Sequence, residues 1–257
     1  MTLAVIHRIW PIGLALLTFF GFELVASRPK AALFVLPVLF LLSFLAVCLL
    51  LGPHLKTPSS RWKFWLMPAI FYFSSFAMFF LIEEIWLRRV LAAVSAALIG
   101  LFLESIHTYI WEHEWYEIYS LENIAGYLNV LSAFLFSAAL LGFMTFLQLP
   151  LWAAAPFVFL VYFVLTWEVL WLAKVQWSDS RPFALAIGAI FFEIFIIFSS
   201  LPAHFLVEGA VIGVLWYTFV SAARAFLLGF WNKRLAWRYV AMAIIFIGAL
   251  LVTAKWI

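Results

Sequence analysis

The sequence predicts an all-α fold, a polytopic transmembrane helical bundle of about nine spans, or eight if the first is not a span. Of the 257 residues, 68% are hydrophobic and only 11% are charged, whereas soluble domains have roughly 45–50% apolar and 25% charged residues. Several intervals without ionised side chains match the roughly 20 residues that cross a hydrocarbon core. Their apolar runs are continuous, which indicates helices rather than alternating barrel strands. We expect one integral membrane domain over residues 1–257 and no soluble domain.

The first predicted span, residues 9–26, shares some features with a cleaved signal peptide. However, its n-region is weakly charged, and Glu23 lies where a neutral residue is needed before cleavage. We therefore expect a retained helix. The next two spans, residues 31–52 and 64–83, are predicted from the uncharged intervals 31–53 and 64–82, and a further span is predicted at residues 88–109.

The middle of the chain predicts a transmembrane hairpin. The uncharged interval 123–167 is about twice the length of one span. Gln148, Pro150 and Pro156 lie near its centre, where polar residues and prolines favour a short turn. The interval therefore divides into spans at residues 122–147 and 151–173. The last three spans are predicted at residues 182–200, 204–228 and 237–255.

The distribution of lysine and arginine predicts the orientation. Under nine spans, the N-terminal side receives nine basic residues, Arg8, Lys56, Arg61, Lys63, Lys174, Arg181, Lys233, Arg234 and Arg238. The opposite side receives five, Arg28, Lys30, Arg88, Arg89 and Lys255. Because cytoplasmic loops carry the excess of basic residues, we expect a cytoplasmic N-terminus in a plasma or inner membrane.

The charge pattern also limits the classes of binding partner that we expect. The formal net charge is +3, and the basic residues are spread along the connections instead of forming a run, which predicts no nucleic-acid partner. The expected partners are membrane lipids and either another membrane protein or a second copy of the chain. No cofactor is firmly implied, and a divalent metal is considered only for the polar cluster that follows.

The densest polar group begins at the end of the fourth span. Glu104 and His107 have the Glu-x-x-His spacing that holds an ion in carboxylate-bridged di-metal bundles. Such a site needs ligands from other segments, and the candidates are Glu114, His113, Glu117 and Glu168. The alternative is an interfacial segment whose carboxylates face water.

A second pattern is Glu83-Glu84-Ile-Trp-Leu-Arg88, before the fourth span. It resembles, over this hexapeptide alone, the Glu-Glu-x-x-x-Arg element of the CAAX-processing (CPBP) intramembrane proteases. The resemblance implies that paired glutamates activate water and that later histidines, here His107 and His204, complete the site. An unbroken helix would place His107 about 28 Å from Arg88 at 1.5 Å per residue. That separation favours a solvated tight turn with pairing between Glu84 and Arg88.

Isolated ionisable residues in the seventh and eighth spans form the candidate intramembrane proton site, Glu193, His204 and Glu208. Glu193 has no basic residue at i±3 or i±4, so it needs a partner on another helix, a wet cavity or a bound proton. His204 and Glu208 are spaced to pair with each other. The alternative for Glu193 is a neutral acid that is hydrogen-bonded to a neighbouring helix.

The polar residues support three functional interpretations. The leading one is a non-catalytic bundle that packs against lipid or a partner subunit, in which no intramembrane acid or histidine is indispensable. The second is a proton- or cation-coupled transporter that uses Glu193. The third is an intramembrane metal-dependent enzyme that uses Glu104 and His107.

Overall fold

The computed structural model describes residues 2–51, 61–111 and 120–253. These residues are helical apart from short connections, which confirms the all-α prediction. A short 3-10 turn, Pro29–Ala31, joins the first two helices. In chain order the helices are α1 (Thr2–Ser27), α2 (Ala32–Leu51), α3 (Arg61–Leu81), α4 (Ile85–Trp111), α5 (Ser120–Phe146), α6 (Leu151–Leu172), α7 (Trp177–Phe198), α8 (Phe205–Leu227) and α9 (Lys233–Thr253).

The lengths and compositions of the helices fit a membrane. In the described residues, eight helices, α1 to α8, are long and apolar enough to cross a bilayer, and the first of them contributes Ile9–Ser27. Each of the first eight predicted spans therefore has a counterpart. Helix α9 begins with three basic residues within six positions, and its predicted span runs to residue 255, outside the described residues. The chain is a multi-pass membrane protein, and its ninth span stays a prediction.

Two connections show why the predicted boundaries hold or shift. Helix α4 begins at Ile85, three residues before the predicted start, because the carbonyl of Glu84 already accepts a hydrogen bond from the amide of Arg88, at 3.1 Å. An exposed first turn thus accommodates charged residues.

Between α5 and α6, Gln148 has a φ of 52° and Pro150 immediately precedes α6. The predicted hairpin is confirmed.

The chain divides into two compact units, Met1–Leu128 and Asn129–Ile257. In the first unit, α1 packs mainly along α4 and α2. The hydroxyl groups of Thr18 and Tyr72 are 2.6 Å apart in its interior, and the rings of Phe22 and Phe76 stack with centroids 4.2 Å apart. The prediction of one integral membrane domain without a soluble part stays a prediction.

In the second unit, α6 packs along α7, and α8 packs against α7 and α9. Helix α8 also approaches α5 very closely. A Cβ atom at Gly209 would lie 2.6 Å from the backbone nitrogen of Ala138, and one at Gly213 would lie 3.3 Å from the Cβ atom of Phe134. Small residues permit such backbone approach between membrane helices. The α5–α8 contact therefore depends on glycine.

The outer surface is apolar. Many large hydrophobic side chains are exposed along the helices, as expected where lipid is the solvent. Tryptophans lie exposed at or near helix ends, where aromatic belts meet the headgroups; they are Trp86, Trp111, Trp152, Trp177, Trp231 and Trp237.

Candidate functional site

Two carboxyl groups are buried in the second unit, one near each end. Glu168 on α6 is 1% exposed, and Glu208 on α8 is 5% exposed. Ionisable residues inside membrane bundles are costly and commonly mark proton or ion pathways. These acids are the strongest candidates for function in the described part of the chain.

Glu168 lies four residues before the end of α6. Neither of its carboxyl oxygens has a hydrogen-bond partner among the described residues. A buried polar group without a partner costs about 1–3 kcal/mol, so packing alone gives no reason for an acid here. A bound proton, a water molecule or an ion at the carboxyl group would offset the cost of this burial.

Glu208 lies in the first turn of α8, at the opposite end of the unit. One oxygen is buried without a partner, and the carboxyl group also accepts a hydrogen bond from the backbone amide of Ala203. His204 is the N-cap residue, and its Nδ1 accepts a hydrogen bond from the amide of Leu206 at 3.3 Å. His204 thus acts as a cap, and no ion pair with Glu208 is found in the described part of the chain.

Buried hydroxyl groups lie between the two acids. Tyr162, fully buried on α6, shares a short hydrogen bond with Ser137 of α5. Four residues along α6, the Thr166 hydroxyl accepts a hydrogen bond from the indole of Trp216, at 3.1 Å. Phe191 of α7 packs against Tyr162 with ring centroids 4.9 Å apart. The middle of the unit is therefore apolar except for these hydrogen-bonded groups.

The helix register places the acids on opposite sides of Tyr162. Glu168 follows Tyr162 by six residues, which is about 9 Å along α6. Helices α6 and α8 run in the same direction, since each is antiparallel to α7, and Trp216 meets Thr166. Glu208 precedes Trp216 by eight residues, which is about 12 Å towards the other end. A row of polar groups thus runs lengthwise through the second unit.

Two further polar residues lie near the level of Glu168. Asn129 and Ser132 on α5 are buried, and their side-chain polar atoms have no partners among the described residues. Because α5 is antiparallel to α6 and Ser137 meets Tyr162, Asn129 falls at the level of Glu168. Sequence reasoning missed Asn129, Ser132, Ser137 and Tyr162. The signal in the sequence that could have indicated this group was Asn129, an amide side chain inside an apolar span.

The first unit contains the predicted metal-site pair. His107 is buried, with no partner for Nδ1 in the described residues, and Glu104 one turn earlier is half-buried. Glu168 belongs to the other unit. The described residues contain no group of three or more His, Cys, Asp or Glu residues arranged to hold a metal ion. The other predicted ligands, His113, Glu114 and Glu117, lie outside the described residues, so the metal site stays a prediction.

The Glu-Glu-x-x-x-Arg element forms an exposed turn between α3 and α4. Glu83 and Glu84 are exposed. The guanidinium of Arg88 donates a hydrogen bond to the carbonyl of Ile82 and lies 5.7 Å from the ring centroid of Phe79. The predicted tight turn is confirmed, but Arg88 binds the backbone rather than Glu84. The continuous helix α4 also keeps His107 nineteen residues from Arg88.

Glu193 is exposed on α7, five residues before the end of the helix. Its side chain is therefore on the outer surface of the described chain, not in the interior of the second unit. The predicted proton site at Glu193 stays a prediction.

Comparisons of the chain with protein-family models, with curated proteins and with solved structures find no match.

Proposed function

We propose that this membrane protein translocates protons through its second unit, with Glu208 and Glu168 as the proton-binding groups near its two ends. The observation that carries the proposal is the burial of Glu168 with both carboxyl oxygens unpartnered in the described chain. Chains of acids and hydrogen-bonding groups are the usual proton relays of membrane pumps and transporters.

The proposed path runs along the row of polar groups. A proton that binds one carboxylate converts it to the neutral acid, which a membrane interior tolerates better. The hydroxyl groups of Ser137, Tyr162 and Thr166 can each accept one proton and donate another. Bound water would bridge the remaining gaps along the helix axis, about 3 Å from Thr166 to Glu168 and about 6 Å from Tyr162 to Glu208. Release at the far carboxyl regenerates the ionised form.

This proposal replaces Glu193 by Glu168 in the transporter interpretation. An interior acid can exchange protons along a path enclosed by the unit, whereas an exposed one on α7 faces the outside. The non-catalytic bundle is the competing interpretation, since it requires no acid for activity. The metal-dependent enzyme gains no support from a cluster of ligands in the described residues.

Proton flux into vesicles tests the proposal. The purified protein is placed in vesicles that contain a pH-sensitive dye, and a potassium gradient with valinomycin sets the membrane potential. We expect faster acidification than in protein-free vesicles, and we expect Glu168→Gln or Glu208→Gln to reduce the rate to the protein-free level. The matched control, Glu193→Gln, removes an exposed acid and should retain flux.

Two results would contradict the proposal. One is a wild-type rate equal to that of protein-free vesicles, which would leave the non-catalytic bundle. The other is loss of flux in Glu193→Gln with retention of flux in Glu168→Gln. That result would place the proton-binding group at Glu193, as the sequence predicts. Size-exclusion profiles of all variants show whether each remains folded. Labelling by dicyclohexylcarbodiimide, an apolar reagent for protonated carboxyl groups, gives a separate measurement at Glu168.

A further inference from the structure

A histidine stands at the start of α8, one turn before the buried acid of that helix. His204 is half-buried, whereas Glu208 is only 5% exposed. The amide of Glu208 donates a hydrogen bond to the carbonyl of His204 at 3.2 Å, so the first helical turn closes between these two residues. Residues four apart lie on one face of a helix. The imidazole and the carboxyl group are therefore neighbours at this end of the second unit.

The carboxyl group of Glu208 is directed back towards the helix start. It accepts a hydrogen bond from the backbone amide of Ala203, the residue before His204. Its Oε1 atom is buried and has no hydrogen-bond partner among the described residues. One acceptor oxygen of a buried acid is thus free within the turn that contains the histidine.

The hydrogen bond of His204 determines where its ring carries a proton. Nδ1 accepts a hydrogen bond from the amide of Leu206 at 3.3 Å, and an accepting ring nitrogen is unprotonated, so the neutral ring carries its proton on Nε2. A second proton can bind only at Nδ1. That nitrogen then becomes a donor and loses the Leu206 amide, and the helix dipole disfavours a cation at this position. The charged ring therefore needs another acceptor, which the free oxygen of Glu208 supplies.

The neighbouring elements add no other charged group at this level of the described chain. The connection before α8 contains no ionisable residue except the histidine, and α5 has none from Ala138 to Phe146. The hydroxyl of Tyr162 on α6 is bonded to Ser137. Glu193 on α7 is exposed. In the described part of α9, lysine and arginine occur only within the first six positions, at the opposite end of the unit.

We propose that His204 delivers protons to Glu208, alternating between a neutral cap of α8 and a charged donor to the carboxylate. This inference rests on the proposed function, and it names the group through which protons reach the path. In the delivery step the Nδ1–H bond breaks as an O–H bond forms at Oε1 of Glu208. The imidazolium and the carboxylate become a neutral imidazole and a neutral acid, and Nδ1 again accepts the amide of Leu206.

Two substitutions separate proton delivery from helix capping. Asparagine is a strong N-cap residue that does not titrate, whereas alanine neither caps nor titrates. In the vesicle assay we expect His204→Asn and His204→Ala to lower flux equally at pH 7, by about 100-fold, the lower end of what a positioned proton donor contributes. Only His204→Ala should also be easier to unfold. If His204→Asn is not obtained folded, His204→Ser preserves the cap in the same way.

The pH dependence of flux is the second measurement, because a role in capping alone would not change it. Histidine side chains change charge between about pH 5 and 8, so wild-type flux at constant membrane potential should have an inflection in this range that His204→Asn lacks. Wild-type flux and pH dependence in His204→Asn, with loss only in His204→Ala, would reduce the histidine to a cap and overturn the inference.

The same assay distinguishes failure of this inference from failure of the proposed function. If Glu168→Gln and Glu208→Gln abolish flux while His204→Asn behaves as the wild type, the path stands and only delivery by His204 is overturned. A wild-type rate equal to that of protein-free vesicles would overturn both.

Discussion

The two units share a buried tyrosine–hydroxyl pair but differ in what surrounds it. In the first unit Tyr72 meets Thr18, and in the second Tyr162 meets Ser137. Among the residues that the structure describes, only those of the second unit include a buried carboxyl group on each side of this pair, Glu168 and Glu208. Under the proposed function, a tyrosine–hydroxyl pair contributes only to packing, and the two acids make the second unit a proton path.

The largest effect on stability is expected at Gly209. The glycine contacts of the two units differ, because some lie against a neighbouring backbone and others against side chains. A Cβ at Gly209 would meet the backbone of Ala138, whereas one at Gly21 would meet the side chains of Val35 and Leu39 at 3.0–3.3 Å. Gly209→Ala should lower the free energy of unfolding by about 2–3 kcal/mol, because backbone atoms cannot shift aside. Gly21→Ala should change it by less than about 1 kcal/mol, since the gain in helix propensity offsets small side-chain movements.

Unfolding of the detergent-solubilised protein by sodium dodecyl sulfate, followed by circular dichroism, measures both values. Gly13→Ala is a further control, because nothing lies within 4 Å of its added Cβ. Equal destabilisation by Gly209→Ala and Gly21→Ala would contradict this prediction. It would mean that helices α5 and α8 move apart as easily as the side chains of Val35 and Leu39 move aside.

The next largest effect should have the opposite sign. Glu168→Leu replaces an unpartnered buried carboxyl by an apolar side chain, and we expect a gain of about 1–2 kcal/mol in unfolding free energy. The same variant should lose proton flux. Thr18→Val in the first unit removes a paired hydroxyl and should instead lose about 1 kcal/mol. Destabilisation by Glu168→Leu in the same unfolding assay would show that the acid contributes to packing.

The smallest expected effect on stability comes from removing either tyrosine hydroxyl. Proton flux then distinguishes the two tyrosines. Tyr72→Phe removes the hydrogen bond with Thr18, and Tyr162→Phe removes the one with Ser137 and a longer one, at 3.4 Å, to the carbonyl of Ala133. Each variant should lower the unfolding free energy by about 1 kcal/mol. Only Tyr162→Phe should slow proton flux in the vesicle assay. Equal slowing by both variants would attribute the change to loosened packing rather than to a missing hydroxyl in the path.

Hydropathy predicts the spans well because crossing a membrane requires long apolar helices, whatever their contacts. The hairpin between α5 and α6 follows from Gln148 and Pro150 for the same local reason. The site is harder to predict because the rotation of a helix depends on its packing partners. Glu193 and Glu168 both interrupt apolar spans, yet α7 turns the first outward and α6 holds the second inside.

The close contact of Gly209 with Ala138 also has a consequence for biosynthesis. Helix α8 is made after α6, and about 60 residues separate Glu168 from the end of α8. At roughly 5–20 residues per second, the ribosome needs about 3–12 s to add them. Throughout that interval Glu168 lacks the helix that supplies Trp216 and closes on α5. The nascent α5–α6 hairpin therefore holds an acid in the membrane before its bundle is complete.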